Sequence, residues 1–363
     1  MKCGIVGLPN VGKSTLFNCL SNAKAQAANF PFCTIDANVG VVTVPDERLY
    51  KLQELVNPYK VVPATVEIVD IAGLVKGASK GEGLGNKFLA NIRETHAIIH
   101  VLRCFDNNNI THVEGSVNPI RDKEIIDTEL QLKDLETVEA RIHKIERQAK
   151  SGDKELKKNL DFLVKYKNHL EEGKNIRTLS IEDEESYFIK DLQLLTSKPI
   201  FYLCNIDEKS LINSNKYLEE VVSFAKDEGV EVLSIAAAVE ADIAELESYK
   251  ERKLFLDDYG LSEPGVNKVI KAAYDLLNYQ TFFTAGEKEV KAWTITKGFT
   301  APQAAGIIHT DFQRGFIKAE VISYNDYVSF KSEHACREAG KLLIEGKEYV
   351  VCDGDVMHFK FNV

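Results

Sequence analysis

A glycine-rich stretch near the N-terminus, residues 7–14 (GLPNVGKS), constrains the fold more than any other feature of the sequence. It fits the pattern G-x-x-x-x-G-K-[ST]. An apolar run, Cys3–Gly7, leads into it, and a helical pattern, Thr15–Ser21, follows. In a strand–loop–helix unit of this kind, glycines let main-chain N–H groups close around phosphate oxygens, and the helix N-terminus favours their negative charge. The stretch therefore predicts an α/β domain that binds a nucleotide.

Each part of this motif has an expected role. Lys13 is expected to reach the β- and γ-phosphates, where it acts in catalysis, and the Ser14 hydroxyl is expected to ligate Mg²⁺. The other nucleotide-binding residues are expected in the rest of the loop and the first helical turn: Asn10, Val11, Gly12 and Thr15.

Two further segments complete the expected metal site. Asp70 ends the predicted strand Thr65–Asp70 and begins a D-x-x-G sequence that closes at Gly73. If that strand lies beside the first one, the Asp70 carboxylate holds the Mg²⁺ shell and the Gly73 N–H meets a γ-phosphate. Thr34, in the loop after the first helix, is expected to add a hydroxyl ligand to the metal. These elements together are typical of a switch GTPase core.

The base-binding segment departs from the GTPase pattern. Residues 205–208 read Asn-Ile-Asp-Glu, where a GTPase carries Asn-Lys-x-Asp. Asn205 is retained, Ile206 replaces the lysine, and Glu208 replaces the aspartate. Ser234, in a Ser-Ile-Ala sequence, matches the loop that usually flanks the base. We expect these four residues to line the base pocket.

Short β-branched runs alternate with helical patterns over most of the chain, which predicts a doubly wound parallel sheet. Its expected strands are Cys3–Gly7, Val39–Val44, Thr65–Asp70, Ile98–Arg103, Pro199–Asn205 and Val230–Ala236. From about residue 278 a mixture of elements predicts a small α+β domain. Its expected strands are Thr281–Ala285, Ala292–Thr296, Ile317–Ile322 and Tyr349–Val351.

Residues 121–195 interrupt this alternation, because they contain no strand pattern. Two apolar stripes at helical spacing, separated by a polar turn at 150–153, predict a helical hairpin with a coiled-coil-like seam. Residues 141–167 hold nine Lys/Arg against four Asp/Glu. This excess is typical either of a solvated helix surface or of a contact with nucleic acid or the ribosome. Seven of the nine are expected to make the phosphate contacts of such an interface: Arg141, Lys144, Arg147, Lys150, Lys154, Lys157 and Lys158.

Composition narrows the class of protein. The 363 residues carry 45 basic and 55 acidic side chains, a net charge of −10, which argues against a protein that coats DNA but does not exclude a local basic face. Seven cysteines without Cys-x-x-Cys spacing are typical of reduced thiols. No apolar run approaches the ~18 residues of a membrane helix. We expect a cytoplasmic protein without a membrane partner.

Taken together, these segments closely resemble the Obg-like ATPases of the YchF type, within the TRAFAC superfamily of P-loop GTPases. The resemblance covers essentially the whole chain, including residues 7–14, 30–36, 70–74 and 205–208. It implies a Ras-like nucleotide-binding domain at 1–277, interrupted by the hairpin at 121–195, and a ubiquitin-like β-grasp (TGS) domain at 278–363. It also implies Mg²⁺-dependent ATP hydrolysis, weaker use of GTP, and association with ribosomes or ribosomal RNA.

The base motif itself favours lost guanine selectivity. Glu208 is one methylene longer than aspartate, so its carboxylate moves by about 1.5 Å and the paired hydrogen bonds to guanine are broken. Two alternatives stay open. One is a GTPase with relaxed base specificity, and the other is a nucleotide-gated ribosome- or nucleic-acid-binding protein with little turnover.

Two residues are candidates for further roles in hydrolysis. Asn10 sits inside the P-loop, and similar enzymes with asparagine there often use K⁺, so Asn10 is either a K⁺ ligand or a structural residue. Leu74, directly after D-x-x-G, has no polar atom with which to orient the attacking water. His112, in the polar loop 107–112, is the candidate for that task, and an ordinary surface histidine is the alternative.

Overall fold

A computed structural model describes residues 2–22, 38–71, 84–148, 154–246 and 248–362. Three predicted site or hairpin residues, Thr34, Gly73 and Lys150, lie outside the described residues. Within these ranges, no helix is both long enough and apolar enough to span a membrane.

The described elements follow one another in an alternating order. The strands are β1 (Lys2–Val6), β2 (Val39–Thr43), β3 (Val61–Val62), β4 (Thr65–Asp70), β5 (Ala97–Arg103), β6 (Ile200–Asn205), β7 (Glu231–Ile235), β8 (Tyr279–Ala285), β9 (Val290–Thr296), β10 (Phe316–Ile322), β11 (Leu343–Glu345) and β12 (Val356–Phe361). The helices are α1 (Lys13–Asn22), α2 (Glu47–Val56), α3 (Leu84–Glu94), α4 (Pro119–Gln148), α5 (Lys154–Glu171), α6 (Asp183–Leu192), α7 (Lys216–Glu228), α8 (Ala237–Glu245), α9 (Tyr249–Asp258), α10 (Gly265–Leu276), α11 (Ala301–Ile308), α12 (Thr310–Arg314), α13 (Tyr324–Phe330) and α14 (Glu333–Glu338).

The first sheet has the strand order β2-β4-β1-β5-β6-β7. β1 pairs in parallel with both β4 and β5, and β5, β6 and β7 continue the parallel arrangement. β5 and β6 are buried along their whole length, which explains their nearly continuous apolar sequences. The expected neighbourhood of Asp70 and the first strand is confirmed, since Ile5 pairs with Asp70.

The inserted hairpin consists of α4 and α5, which pack on each other. The two predicted stripes meet in one apolar cluster that also contains Tyr166 and parts of α6. The prediction of a helical insert is therefore confirmed. Its stripe residues are Leu135, Val138, Ile142, Ile145, Leu156, Leu160, Leu163 and Leu170.

The second sheet has the strand order β11-β10-β12-β8-β9-β3. β8 and β9 form an antiparallel hairpin, β12 lies parallel beside β8, and β10 pairs antiparallel with β12 and β11. A hairpin whose first strand lies parallel to the last strand is the expected β-grasp arrangement. Phe282 and Phe316 are buried in the core of this region, with Trp293 and Phe299 packed against it.

One predicted strand of this region is wrong. Residues 349–351 do not join the sheet, and only Val350 makes an isolated bridge, to Thr300. The Tyr349 N–H bonds to the Gly346 carbonyl in a turn, and the Val351 N–H bonds to the Phe299 carbonyl. β12 occupies the sheet position instead.

The chain divides into two compact units. One contains Met1–Gly40 and Glu67–Val269, and the other contains Val41–Val66 and Ile270–Val363. The sequence prediction places a single limit at residue 277. The second unit also includes α2 and β3, because β3 pairs in parallel with β9.

Candidate functional site

The loop at residues 7–12 connects β1 to α1, as the motif predicts. Gly12 has a φ of +100°, which L side chains rarely adopt, and a Cβ there would strike the Asn205 amide. A Cβ on Gly7 would come within 2.6 Å of the Val101 carbonyl oxygen. Close approach of neighbouring atoms therefore requires glycine at both positions, and the positive φ adds a second reason at Gly12.

Lys13 is buried at the start of α1, with 7% of its surface exposed. Its Nζ donates a 2.8 Å hydrogen bond to the Leu8 carbonyl of the same loop. Burial lowers the pKa of Lys13 to about 8, although the Asp70 carboxylate acts in the opposite direction. An incoming phosphate would supply the negative charge that this buried ammonium lacks.

Asp70 lies at the carboxyl end of β4, facing Lys13 and Ser14. Burial raises the pKa of Asp70, while Lys13 and a hydrogen bond from the Ser14 side chain lower it. The Oδ1 atom of Asp70 is buried and has no hydrogen-bond partner among the described residues. A hydroxyl and an orphaned carboxylate oxygen side by side are hard oxygen donors of the kind that Mg²⁺ prefers, so these residues fit the expected metal.

Asn205 connects the base-binding segment to the P-loop. It is buried, and its Nδ2 donates to the Val11 carbonyl at 2.9 Å while its Oδ1 accepts from the Ala237 N–H at 3.1 Å. One hydrogen of the Nδ2 amide is left for a ligand. The sequence predicted Asn205 at the base, and the structure adds that this residue holds the phosphate loop and the start of α8 together.

The other base residues differ in burial. Ile206 is buried, and its N–H donates to the Ile235 carbonyl at 2.9 Å. Glu208 is exposed at the start of a 3-10 turn, and its Oε1 accepts a 2.9 Å hydrogen bond from the Tyr259 hydroxyl. Ser234 is exposed on β7, opposite Cys204 of β6. The segment thus brings one fixed amide, one buried side chain and one exposed carboxylate to the same edge of the sheet.

Asn10 contacts the loop that follows β5, and His112 lies at the end of that loop. Asn10 has a φ of +63° and its Nδ2 donates to the Thr111 carbonyl at 3.1 Å. His112 is buried rather than on the surface. Its Nε2 hydrogen-bonds Asp122 at 2.8 Å and its Nδ1 accepts from the Glu114 N–H at 3.1 Å. Both ring nitrogens are therefore engaged, and His112 can hold a water only after one of these contacts opens.

Sequence reasoning missed the residues that hold the site from a distance. Tyr259 lies 51 positions after Glu208, and Ala237 lies 32 positions after Asn205. No spacing rule connects such pairs. Only a weak local signal pointed to Asp122. It lies in the first turn of a helix that follows a polar loop, where acidic residues are common.

Five parallel strands, β4, β1, β5, β6 and β7, carry a phosphate loop after β1, a buried lysine at the start of α1 and an Asn-containing segment after β6. These features together define a P-loop nucleotide-binding protein of the GTPase type. A family model described as "50S ribosome-binding GTPase" matches residues 2–160. Another, the YchF-type GTPase C-terminal model, described as a protein of unknown function, matches residues 279–362.

The similar proteins extend over the whole chain. The ribosome-binding ATPase YchF of Escherichia coli is 58% identical, with 100% of this chain and 99% of that protein covered. The protein of the same name from Bacillus subtilis is 52% identical, with both chains covered completely. The solved structure of the Schizosaccharomyces pombe YchF GTPase is 40% identical, with a TM-score of 0.91, 99% of this chain covered and 97% of that one. The chain belongs to the YchF family.

Proposed function

We propose that this chain binds and hydrolyses ATP and that its nucleotide state controls its association with the ribosome. The observation that carries the proposal is the buried Lys13 beside Asp70. Among the described residues, a main-chain carbonyl is the hydrogen-bond acceptor of this ammonium, so an anion such as a phosphate completes its environment. The names of the relatives, ribosome-binding ATPases, support the same function.

In the reaction, water attacks the γ-phosphorus in line, the bond to the bridging oxygen of ADP breaks, and inorganic phosphate leaves. Lys13 and the main-chain N–H groups of residues 10–15 bind the phosphate oxygens and stabilise the charge that spreads over them. His112 remains the candidate for orienting the water, a role that requires its release from Asp122. Unchanged basal and ribosome-stimulated turnover in His112→Ala would reject that role.

Mg²⁺ would be held by Ser14 and Asp70, with Thr34 as the further ligand and Gly73 as the γ-phosphate contact that the sequence predicts. When bound, the metal neutralises charge on the β- and γ-phosphates. We assign K⁺ to Asn10, whose side chain lies at the junction of the P-loop and the loop after β5. Equal turnover in KCl and NaCl would contradict the K⁺ assignment.

The base segment favours adenine on hydrogen-bond grounds. The Ile206 N–H is used by Ile235, which leaves the Ile206 carbonyl for the base. A carbonyl accepts from the exocyclic amine of adenine but not from the O6 of guanine. Glu208, which would have to serve guanine, is instead bonded to Tyr259. The remaining Asn205 hydrogen suits N7, which both purines share.

The decisive experiment measures the Kd of ATP and GTP in parallel, together with turnover, with and without purified ribosomes. We expect tighter binding of ATP and Mg²⁺-dependent turnover. GTP binding tenfold tighter than ATP, about 1.4 kcal/mol, would restore the GTPase alternative. Tight ATP binding without turnover under either condition would favour the nucleotide-gated binding protein.

We propose that the hairpin and the C-terminal TGS domain contact the ribosome, which places the protein in the cytoplasm. Part of the basic excess of the hairpin is neutralised locally, since Arg141, Lys158, Lys165 and Lys167 pair with acidic residues. Exposed basic side chains without an ion-pair partner among the described residues remain near the tip: Lys144, Arg147, Lys154 and Lys157.

These two groups of four cations provide a matched test. Neutralising Lys144, Arg147, Lys154 and Lys157 to Gln should weaken co-sedimentation with ribosomes and flatten its salt dependence, because fewer counterions are released. Neutralising the four paired residues removes the same charge and should change the salt dependence less. Equal effects of the two sets would reject a specific role for the tip.

A further inference from the structure

Arg103, the last residue of β5, is 1% exposed and is one of the largest fully buried side chains described in this protein. Its guanidinium donates to three main-chain carbonyls of the loop that follows: Phe105 at 3.2 Å, Asn107 at 3.2 Å and Ile110 at 3.0 Å. The Phe105 ring lies 4.8 Å from the guanidinium carbon. In the described part of the chain, no carboxylate forms an ion pair with it.

A buried cation without a counter-ion is costly and persists only where its hydrogen bonds are needed. The guanidinium presents its donors in a rigid planar fork, so three carbonyls that meet it are fixed relative to one another. Arg103 thereby determines the path of residues 105–110. Lysine at this position would carry the charge but not the fork.

The far end of this loop contacts the P-loop. The Thr111 carbonyl, next to the last carbonyl that Arg103 holds, accepts the hydrogen bond from the Asn10 side chain at 3.1 Å. Asn10 has a positive φ of 63°, in the left-handed region that asparagine tolerates better than most residues, and the hydrogen bond to Thr111 fixes its side chain. The path from Arg103 to Asn10 therefore consists of one loop and one hydrogen bond.

Other contacts anchor the beginning of the loop and the residue that follows Thr111, where the His112 ring is bonded to Asp122. The Asn215 side chain donates to the Cys104 carbonyl at 2.8 Å, and the Tyr217 hydroxyl bonds the Asp106 carboxylate at 3.0 Å. Neither reaches residues 107–111, whose carbonyls at Asn107 and Ile110 are bound by Arg103.

We propose that Arg103 is a positioning residue for nucleotide hydrolysis: it fixes the loop after β5 so that Thr111 holds Asn10 and the P-loop in the conformation that binds phosphate. The role rests on the proposed nucleotide binding for its kinetic readout, but its structural consequence is measurable without nucleotide.

The kinetic test is a double-mutant cycle between Arg103→Lys and Asn10→Ala. We expect each single variant to lower kcat/KM for ATP about tenfold, since a misplacement of about 1 Å costs up to about 100-fold. If Arg103 acts through Asn10, the kcat/KM of the double variant is no lower than that of the less active single variant. Independent effects would multiply to about 100-fold and would overturn the proposal.

The second measurement uses nucleotide-free protein labelled with ¹⁵N-asparagine. The side-chain amide resonance of Asn10, identified by its loss in Asn10→Ala, should shift in Arg103→Lys. It should not shift in the control Tyr217→Phe, which removes an anchor from the start of the same loop. An unmoved Asn10 resonance in Arg103→Lys contradicts the proposal even if no nucleotide binds.

Should Arg103→Lys fail to fold, Phe105→Leu replaces it. Phe105 is half-buried, so its truncation is expected to be tolerated, and it removes the ring beside the guanidinium. We expect the same direction of change in the Asn10 resonance and in kcat/KM, with a smaller size of about twofold to threefold. No change in either readout would count against the role of Arg103.

Discussion

At the phosphate end of the candidate nucleotide site the Lys13 side chain is buried and bound to a main-chain atom, whereas at the expected base end the Glu208 carboxylate is exposed. Lys13 is 7% exposed and bonds the Leu8 carbonyl. Glu208 is exposed, and a side chain from a separate helix end, Tyr259, is its partner. A buried group with main-chain partners has one conformation, while an exposed side-chain pair exchanges easily with water.

Asn205 belongs to both ends, because one of its amide atoms bonds the P-loop and the other bonds the start of α8. This arrangement separates two properties of the site. Under the proposed function, phosphate binding depends on the fixed part of the site, and discrimination between bases depends on the exposed part. Specificity can therefore change without loss of nucleotide binding.

The largest expected effect comes from the fixed end. Lys13→Met should lower ATP turnover about 100-fold or more, since a preorganised donor to the transferring phosphate is lost. The melting temperature of the nucleotide-free protein should not fall, because the change also removes a buried charge. Measuring kcat/KM and Tm together tests both statements. Lys144→Met, on the exposed hairpin, is the control and should leave both unchanged.

Asn205→Ala tests whether the two ends are joined. Two buried hydrogen bonds are lost, each with a net contribution of about 0.5–1.5 kcal/mol, so both ATP and GTP should bind about 10- to 100-fold more weakly. Titration of each nucleotide measures this, with the exposed Asn213→Ala as control. A loss confined to one nucleotide would mean that Asn205 serves the base alone.

The pKa of Lys13, about 8 in the nucleotide-free protein, predicts a pH dependence of the fixed end. Phosphate binds the charged form, and that form declines as pH rises through 8. ATP affinity should therefore fall about tenfold between pH 7 and pH 9, with uptake of a proton on binding in that range. Calorimetry in two buffers of different ionisation enthalpy detects the proton. Buffer-independent heats at pH 8.5 would contradict the prediction.

The smallest effect is expected at the exposed end. Tyr259→Phe frees Glu208, and GTP should gain on ATP by less than about threefold, because an exposed hydrogen bond contributes below about 1 kcal/mol. The ratio of the two Kd values is the measurement, and Tyr217→Phe serves as the matched hydroxyl deletion elsewhere. A change in the ratio above tenfold would show that the base end is as rigidly built as the phosphate end.

Sequence patterns predicted the elements whose signals are local. The P-loop, the strands of the first sheet and the apolar stripes of the hairpin each lie within one short segment, so their spacing carries the information. The erroneous strand at 349–351 shows the limit of such signals. Its residues have strand-like composition, but the Tyr349 N–H bonds to Gly346 within a turn and the Val351 N–H bonds to Phe299 in a loop.

The sequence by itself determined that this chain binds phosphate, because glycines, a lysine and a serine at fixed spacing form one loop between a strand and a helix. The tertiary structure alone decided which distant groups hold that loop. Asn205 reaches it across 194 positions, and Thr111 reaches Asn10 across 101 positions. Such contacts depend on how strands pair and where loops end. The burial of His112 against Asp122 depends on the same packing, and no pattern along the chain records it.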